Sequence, residues 1–179
     1  MKQYLKIIKH SDIFPKNNTK KPKKFTDRQT VKAIVVNKKA EVALVTNPVH
    51  KQYLLPGGGV ESKNLKKEII RECLEEINQE VVIQKEIGRT KEFRDRDAKT
   101  YTTICFFGNA IKKSRKDMRT KSEIENGLRV VWVNKEKLKK IFRDQNKKVK
   151  QGKINFYNIA FNIVRDGIFI DEWLKQNYS

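Results

Sequence analysis

Residues 57–76 read GGGVESKNLKKEIIRECLEE, three glycines followed by a segment that sets four carboxylates on one side of a helix. A helix advances about 100° per residue. With Glu72 as the origin, Glu68 falls at roughly −40°, Glu75 at roughly −60° and Glu76 at roughly +40°. Ile69, Ile70, Cys73, Leu74 and Ile77 fill the arc from roughly 60° to 200°, so the same helix has an apolar face to bury. Glu68/Glu72 and Glu72/Glu76 are like-charged pairs four residues apart, each unfavourable by a few tenths of a kcal/mol. Arg71, spaced to meet Glu68 and Glu75, offsets only part of that. Such a segment places its apolar arc on a core and leaves its acidic stripe either to solvent or to a cation.

A solvated charged face satisfies a bare acidic helix. The residues before it argue for more. Tyr53-Leu54-Leu55-Pro56 reads as a short strand, and Gly57-Gly58-Gly59 follows it directly. Glycines allow a positive φ and close approach of another backbone or a ligand. Hard cations such as Mg²⁺ take oxygen ligands, typically one or two carboxylates together with waters and phosphate oxygens. Strand, glycine turn, loop and acidic helix together therefore point to metal-assisted chemistry on phosphates.

In its residues this segment resembles the Nudix box, G-x5-E-x7-R-E-U-x-E-E-x-G-U, with U a bulky aliphatic. Gly57, Arg71, Glu72, Glu75 and Glu76 match by position. Cys73 replaces an aliphatic, a mild change because a free Cys behaves as a small hydrophobe. Asn78 replaces the glycine after the helix, and Asn is the best substitute at a left-handed cap. Gln79 replaces the next aliphatic. Lys63 stands in place of the first glutamate, in a loop one residue shorter than the common form. In the family that glutamate supports the arginine, so a loosened Arg71 is expected. Asp12–Pro15, Phe93–Asp95, Val131–Val133 and Phe161–Asp166 also resemble segments of prokaryotic Nudix hydrolases of unassigned substrate, over roughly residues 25–175.

The resemblance implies an α/β protein with the Nudix fold, a mixed β-sheet in an α/β/α sandwich. It implies a Mg²⁺-dependent (or Mn²⁺-dependent) pyrophosphohydrolase that cleaves a nucleoside diphosphate linked to another moiety. Glu72, Glu75 and Glu76 would be the metal ligands, and Glu72, Glu76 and Arg71 the catalytic set. One of the glutamates, or one from the loop holding Glu123 and Glu125, would be the base. Gly57 and Gly58 would shape the substrate loop. Arg94, after a long strand, is a candidate for a substrate phosphate or base, and Phe93, Tyr101 and Phe107 for stacking a base. Two other readings fit: an RNA 5′-end pyrophosphohydrolase, and a non-catalytic nucleotide- or RNA-binding module. A homodimer is compatible with the family.

The chain of 179 residues carries a formal net charge of +20. That charge suits RNA or nucleotide attraction, but 31 lysines against 10 arginines also fit an AT-rich coding bias. Residues 1–27 read as a basic, partly extended segment and 28–179 as the domain. No apolar run approaches the ~20 residues of a membrane span. Cys73 and Cys105 lack CxxC partners, and buried thiols in a cytoplasmic protein are expected. Strands are expected near Tyr4–Ile8 and over Gln29–Asn37, Glu41–Thr46, Val81–Phe93, Tyr101–Ala110 and Leu128–Val133. Helices are expected over Asn64–Ile77, briefly after Asn134, and over Ile154–Gln176 with Gly167 a weak point. Lys112–Glu125 is expected as a charged loop.

Overall fold

The computed structural model describes residues 3–16, 19–114, 118–119 and 121–178, without the side chains of 122, 123 and 178. Six strands form one mixed sheet: β1 (Lys6–Ile8), β2 (Thr26–Val36), β3 (Val42–Thr46), β4 (Gln79–Arg94), β5 (Lys99–Lys113) and β6 (Arg129–Val133), in the spatial order β1-β4-β5-β2-β3-β6. β1 runs parallel to β4 and β2 parallel to β5, and the other neighbours are antiparallel. The helices are α1 (His10–Ile13), α2 (Leu65–Ile77), α3 (Lys121–Glu125), α4 (Lys135–Lys150) and α5 (Tyr157–Tyr178).

Alternation along the strands sorts the core into two faces, since successive side chains point to opposite sides. Val31, Ala33 and Val35 of β2 cluster with Ile69, Cys73 and Ile77 of α2. Ile34 of β2, Leu44 of β3 and Cys105 of β5 cluster instead with Leu138 and Phe142 of α4 and with Phe169, Ile170 and Trp173 of α5. The result is the expected sandwich, with α2 on one face and α4 and α5 on the other. Both cysteines are buried free thiols.

The β2–β3 hairpin is turned by Asn37, whose Oδ1 accepts from the amides of Lys39 (2.9 Å) and Glu41 (3.0 Å). β2 begins at Thr26, earlier than its apolar run, because Thr26–Thr30 pair with Lys99–Thr103 of β5. Tyr53–Pro56 is not a strand. Leu54 bridges to Val45 and the Pro56 carbonyl accepts from the Ala33 amide (3.0 Å), and side chains serve the groups between. Gln145 accepts from the Tyr53 amide (2.7 Å) and donates to its carbonyl (2.9 Å), while Asp166 accepts from the Leu55 amide (2.9 Å). The helix after Asn134 is four turns long rather than short, and Asn134 caps it through the Lys137 amide (2.9 Å). The last helix begins at Tyr157, after Ile154. The stretch expected as a loop from Lys112 instead extends β5 through Lys113 and contains α3. Gly167 is no weak point: a Cβ there would lie 2.8 Å from Asn146 Nδ2 of α4, so it lets the two helices approach.

The N-terminal residues pack into this body. Ile8 and Ile13 are buried, and His10 Nδ1 hydrogen-bonds the Tyr157 hydroxyl (2.9 Å). Among the described residues no helix is long and apolar enough to cross a membrane.

Candidate active site

α2 starts where the sequence places it. Asn64 Oδ1 accepts from the Lys67 amide (3.1 Å), satisfying one of the free donors of the first turn. It ends on Asn78 in the left-handed region, at φ 52°. Between these caps Ile69, Cys73 and Ile77 are buried on the sheet, which aims the acidic stripe along the glycine loop.

Arg71 sits within the carboxylates. Its NH1 donates to Glu75 Oε2 (2.6 Å), and its NH2 donates to Glu72 Oε1 (2.6 Å) and Glu68 Oε2 (3.1 Å). Burial works against its charge, but the hydrogen bonds to Glu75 and Glu68 outweigh that, with the attraction of Glu72 and Glu75, and raise its pKa. Glu72 is 7% exposed. Burial raises its pKa, and Arg71 and Lys32 counter the rise only in part while Glu75 adds to it. Glu68 goes the other way. Hydrogen bonds from Ser62 and from the Glu61 amide lower its pKa and tie the start of the box loop to the helix.

The glycine loop is locked from both sides. The Gly57 amide donates to Glu76 Oε2 (2.5 Å), and its carbonyl accepts from Lys32 Nζ, which also donates to Leu55 O (2.9 Å). Gly57 has φ +127°, and a Cβ on it would collide with the Val31 carbonyl oxygen. A Cβ on Gly58 would come within 2.6 Å of Glu72 Oε2. Both glycines are therefore required by close approach, one to backbone and one to a site carboxylate.

Beyond the loop a cleft of about 260 Å³ opens between the sheet and the start of α5, lined in part by Arg28, Lys32, Arg94 and Arg165. Behind it lies a buried ion network. Glu92, with no exposed surface, meets Arg94 (2.5 Å) and Arg165 (3.5 Å), and Arg165 meets Asp166 (2.8 Å).

This arrangement can be compared with known proteins. No protein-family model matches the chain, and no curated protein matches it. Solved structures do. A NUDIX hydrolase from Nitrosomonas europaea aligns with TM-score 0.54 at 17% identity, over 79% of this chain and 88% of its own. A MutT protein from Methanosarcina mazei Go1 aligns with TM-score 0.57 at 18% identity, over 88% of this chain and 99% of its own. The fold is the Nudix fold.

Within the Nudix fold, Gly57, Gly58, Arg71, Glu72, Glu75 and Glu76 come together around the glycine loop. Arg94 pairs with Lys99 to close the β4–β5 hairpin, whose tip is Asp95–Ala98. It ends β4, is 3% exposed and lines the neighbouring cleft. Glu125 lies on α3, exposed and opposite Lys121 (3.8 Å), with no contact to the α2 carboxylates among the described residues. The side chain of Glu123 lies outside the described residues. The aromatic candidates are otherwise engaged: Arg94 covers Tyr101 (4.2 Å), Phe25 meets Phe93 edge-on (5.5 Å), and Phe107 packs near Trp173 (6.2 Å).

The contact of Glu68 with Arg71 is the one its helical spacing predicts, whereas sequence reading misses Lys32, Glu92, Arg165 and Asp166 as supports of the site. For Lys32 a signal existed, a lysine inside the apolar run VKAIVV of a central strand, where a buried charge needs a reason. Every candidate metal donor is a carboxylate oxygen, the class hard divalent cations take. Oε2 of Glu72, the atom facing Gly58, has no hydrogen bond among the described residues. The donor set fits a hard cation, although no group of three acidic, His or Cys side chains converges ready-made among those residues. Arg71 holds the position between Glu72 and Glu75.

Proposed function

We propose that the chain hydrolyses a phosphoric anhydride bond in a nucleoside diphosphate linked to another moiety, with Mg²⁺ or Mn²⁺ as cofactor. The supporting observation is the Arg71–Glu72–Glu75–Glu76 cluster seated against a glycine loop on a Nudix fold. Glu72, Glu75 and Glu76 are the residues to hold the metal. Bound there, a divalent ion supplies Lewis-acid charge stabilisation and lowers the pKa of an attacking water. Arg71 spaces the carboxylates and neutralises part of their repulsion. Glu76 is fixed by the Gly57 amide, so its second oxygen has a defined direction. A carboxylate of this set accepts the proton of the water. Lys32 holds the Gly57 carbonyl and keeps the loop closed on α2.

A 5′-triphosphate RNA end carries the same anhydride, and α4 adds exposed cations beside the +20 net charge. The two substrate classes separate in one experiment. The protein is incubated with Mg²⁺ and a panel of nucleoside triphosphates, sugar nucleotides, ADP-ribose, dinucleoside polyphosphates and 5′-triphosphate RNA, with Glu76→Gln as control. Cleavage of one class that Glu76→Gln abolishes is the expected result. Equal turnover by the variant overturns the assignment.

A further inference from the structure

Two acid-free stretches of the chain meet at the C-terminal end of α4. Residues 13–26 and 145–157 together hold nine lysines and no aspartate or glutamate. They are distant in sequence, yet residues 13–16 and 149–152 line one groove of about 460 Å³. Its floor is apolar: Ile13 and Val149 are buried, and Phe14 is half-buried and stacked on Tyr157 (5.2 Å). Lys16 and Lys150, both exposed, flank that floor. A coding bias raises lysine everywhere, but the pairing of these lysines is local. In the first half of α4, Glu136 meets Lys139 (3.7 Å), and Asp144 meets Lys140 (2.8 Å) and Arg143 (3.7 Å). Beyond Asp144 the matching stops. The side chains of Lys147, Lys148, Lys150, Lys153 and Lys16 make no ion pair or hydrogen bond among the described residues. The helix dipole favours cations in the last turn of α4, but Lys153 and Lys16 lie outside that helix.

A second cavity, of about 320 Å³, shares Phe14 and Pro15 with the groove and adds Lys9 and Lys21. His10 also lines it and is 4% exposed. The Tyr157 hydroxyl accepts from the Arg96 amide (3.2 Å) and is free to donate to His10 Nδ1 (2.9 Å). That network assigns the ring hydrogen to Nε2, a buried donor with no partner among the described residues. Phe156, next to Tyr157, is 46% exposed. Unmatched lysines, a spare donor and apolar or aromatic surface therefore lie together. Phosphates take the cations of such a surface, and unstacked bases take its apolar floor and rings. A duplex keeps its base faces hidden, and a flat lipid surface does not reach a recessed floor.

We propose that this groove is a binding surface for single-stranded nucleic acid, with Lys16 and Lys150 on its phosphates and the groove floor and Phe156 offered to its bases. The surface is separate from the candidate active site: neither cavity shares a lining residue with the α2 carboxylates or the glycine loop. It stands whether or not the chain is a hydrolase.

The test is fluorescence anisotropy of the full chain with a labelled oligouridylate of about twelve nucleotides, within the span of known single-strand sites. Binding is expected to weaken steeply with salt. The double variant Lys16→Ala/Lys150→Ala is expected to make the slope of log K against log salt shallower by about 1.4, the value for two lost single-strand phosphate contacts. Lys137→Ala/Lys139→Ala removes the same charge from the other end of α4 and is expected to leave the slope unchanged. Phe156→Ala is expected to weaken binding about tenfold, the scale of one lost base stack. An equal slope change in both double variants would reduce the effect to net charge and overturn the site, as would equal affinity for a duplex of the same length. Binding to phosphatidylserine vesicles that exceeds oligonucleotide binding and needs the same two lysines would make the partner a lipid surface and also overturn it. Glu76→Gln is expected to bind the oligonucleotide as the parent does, so failure of the hydrolase reading shows separately, in turnover.

Discussion

Two charge clusters flank the glycine loop, and they solve the same electrostatic problem in opposite ways. Around Arg71, one half-buried cation serves Glu68, Glu72 and Glu75, and Glu72 stays in an environment that resists its charge. Behind α5, Arg94 and Arg165 meet Glu92 and Asp166, with two asparagines taking further N–H groups, and all four ions are nearly or wholly inaccessible. The first cluster has more anion than cation and faces an opening. The second is balanced and sealed. An unbalanced cluster at an opening can exchange its counter-ion, as metal-assisted chemistry needs; a balanced one in the interior can only hold positions.

The comparison breaks most readily at its two centres. Glu76→Gln in the open cluster is expected to cut turnover about a thousandfold, on the scale of losing one group that stabilises transition-state charge, with little change in melting temperature. Steady-state kinetics beside a thermal melt separates the two effects. Glu92→Gln in the sealed cluster is expected to act through the fold. It leaves Arg94 and Arg165 short of one anion, and breaking a buried pair costs about 3–5 kcal/mol. For a chain of this size that is a fall of roughly 6–20 °C in melting temperature. A stable Glu92→Gln variant would remove the distinction drawn between the clusters.

How legible each cluster is in the sequence follows from its geometry. The open cluster lies on one helix, so the 3.6-residue period exposes it, and both caps of α2, Asn64 and Asn78, can be read from local chemistry. The sealed cluster joins Glu92 and Arg94 on β4 to Arg165 and Asp166 on α5, some seventy positions away, and no local period links them. Tyr53–Pro56 misleads because an apolar run beside a sheet reads as a strand; beyond its backbone bonds to Val45 and Ala33, it is held by the side chains of Gln145 and Asp166, which pattern cannot show. The length of α4 is hidden by its charge, since seven lysines mask the spacing of Leu138, Phe142 and Val149.

Smaller changes sharpen the contrast. Gly58→Ala places a methyl carbon against the Glu72 carboxylate, the end of a side chain rather than backbone. The expected outcome is a displaced Glu72, with kcat down about tenfold and stability within about 1 kcal/mol of the parent. A variant with unchanged kcat would take Glu72 out of the reacting group. Protonation gives a further handle. Because burial raises the Glu72 pKa above its unfolded value, the neutral form's stability advantage is complete below pH ~4.5 and is lost as pH rises through the folded pKa. Glu72→Gln does not titrate. Its melting temperature, measured without metal, should gain on the parent as pH rises from 4 towards 8, while its turnover falls. A gap that stays flat across that range would mean Glu72 is no less comfortable charged than in the unfolded chain.

The smallest effect expected is at Lys63, the departure from the box that looked most damaging in the sequence. Its expected consequence, a loosened Arg71, does not follow from the contacts observed. Arg71 is already held by Glu68, Glu72 and Glu75, and Glu68 is itself tied to the loop through the Glu61 amide (3.2 Å). Glu68, one turn before Glu72, thus gives the arginine a carboxylate from within the helix. Lys63 is exposed in the preceding loop. Restoring the family residue with Lys63→Glu then adds an exposed charge to a site that is already anionic. Surface charge changes of this kind are worth no more than about 0.5 kcal/mol, so melting temperature should hold and turnover should stay within about twofold. The informative control is Glu68→Gln, expected to lower turnover more in the parent than in a Lys63→Glu background if the two positions offer Arg71 alternative supports. Equal losses in both backgrounds would show that Glu68 supports the loop alone, and that the arginine is held by Glu72 and Glu75.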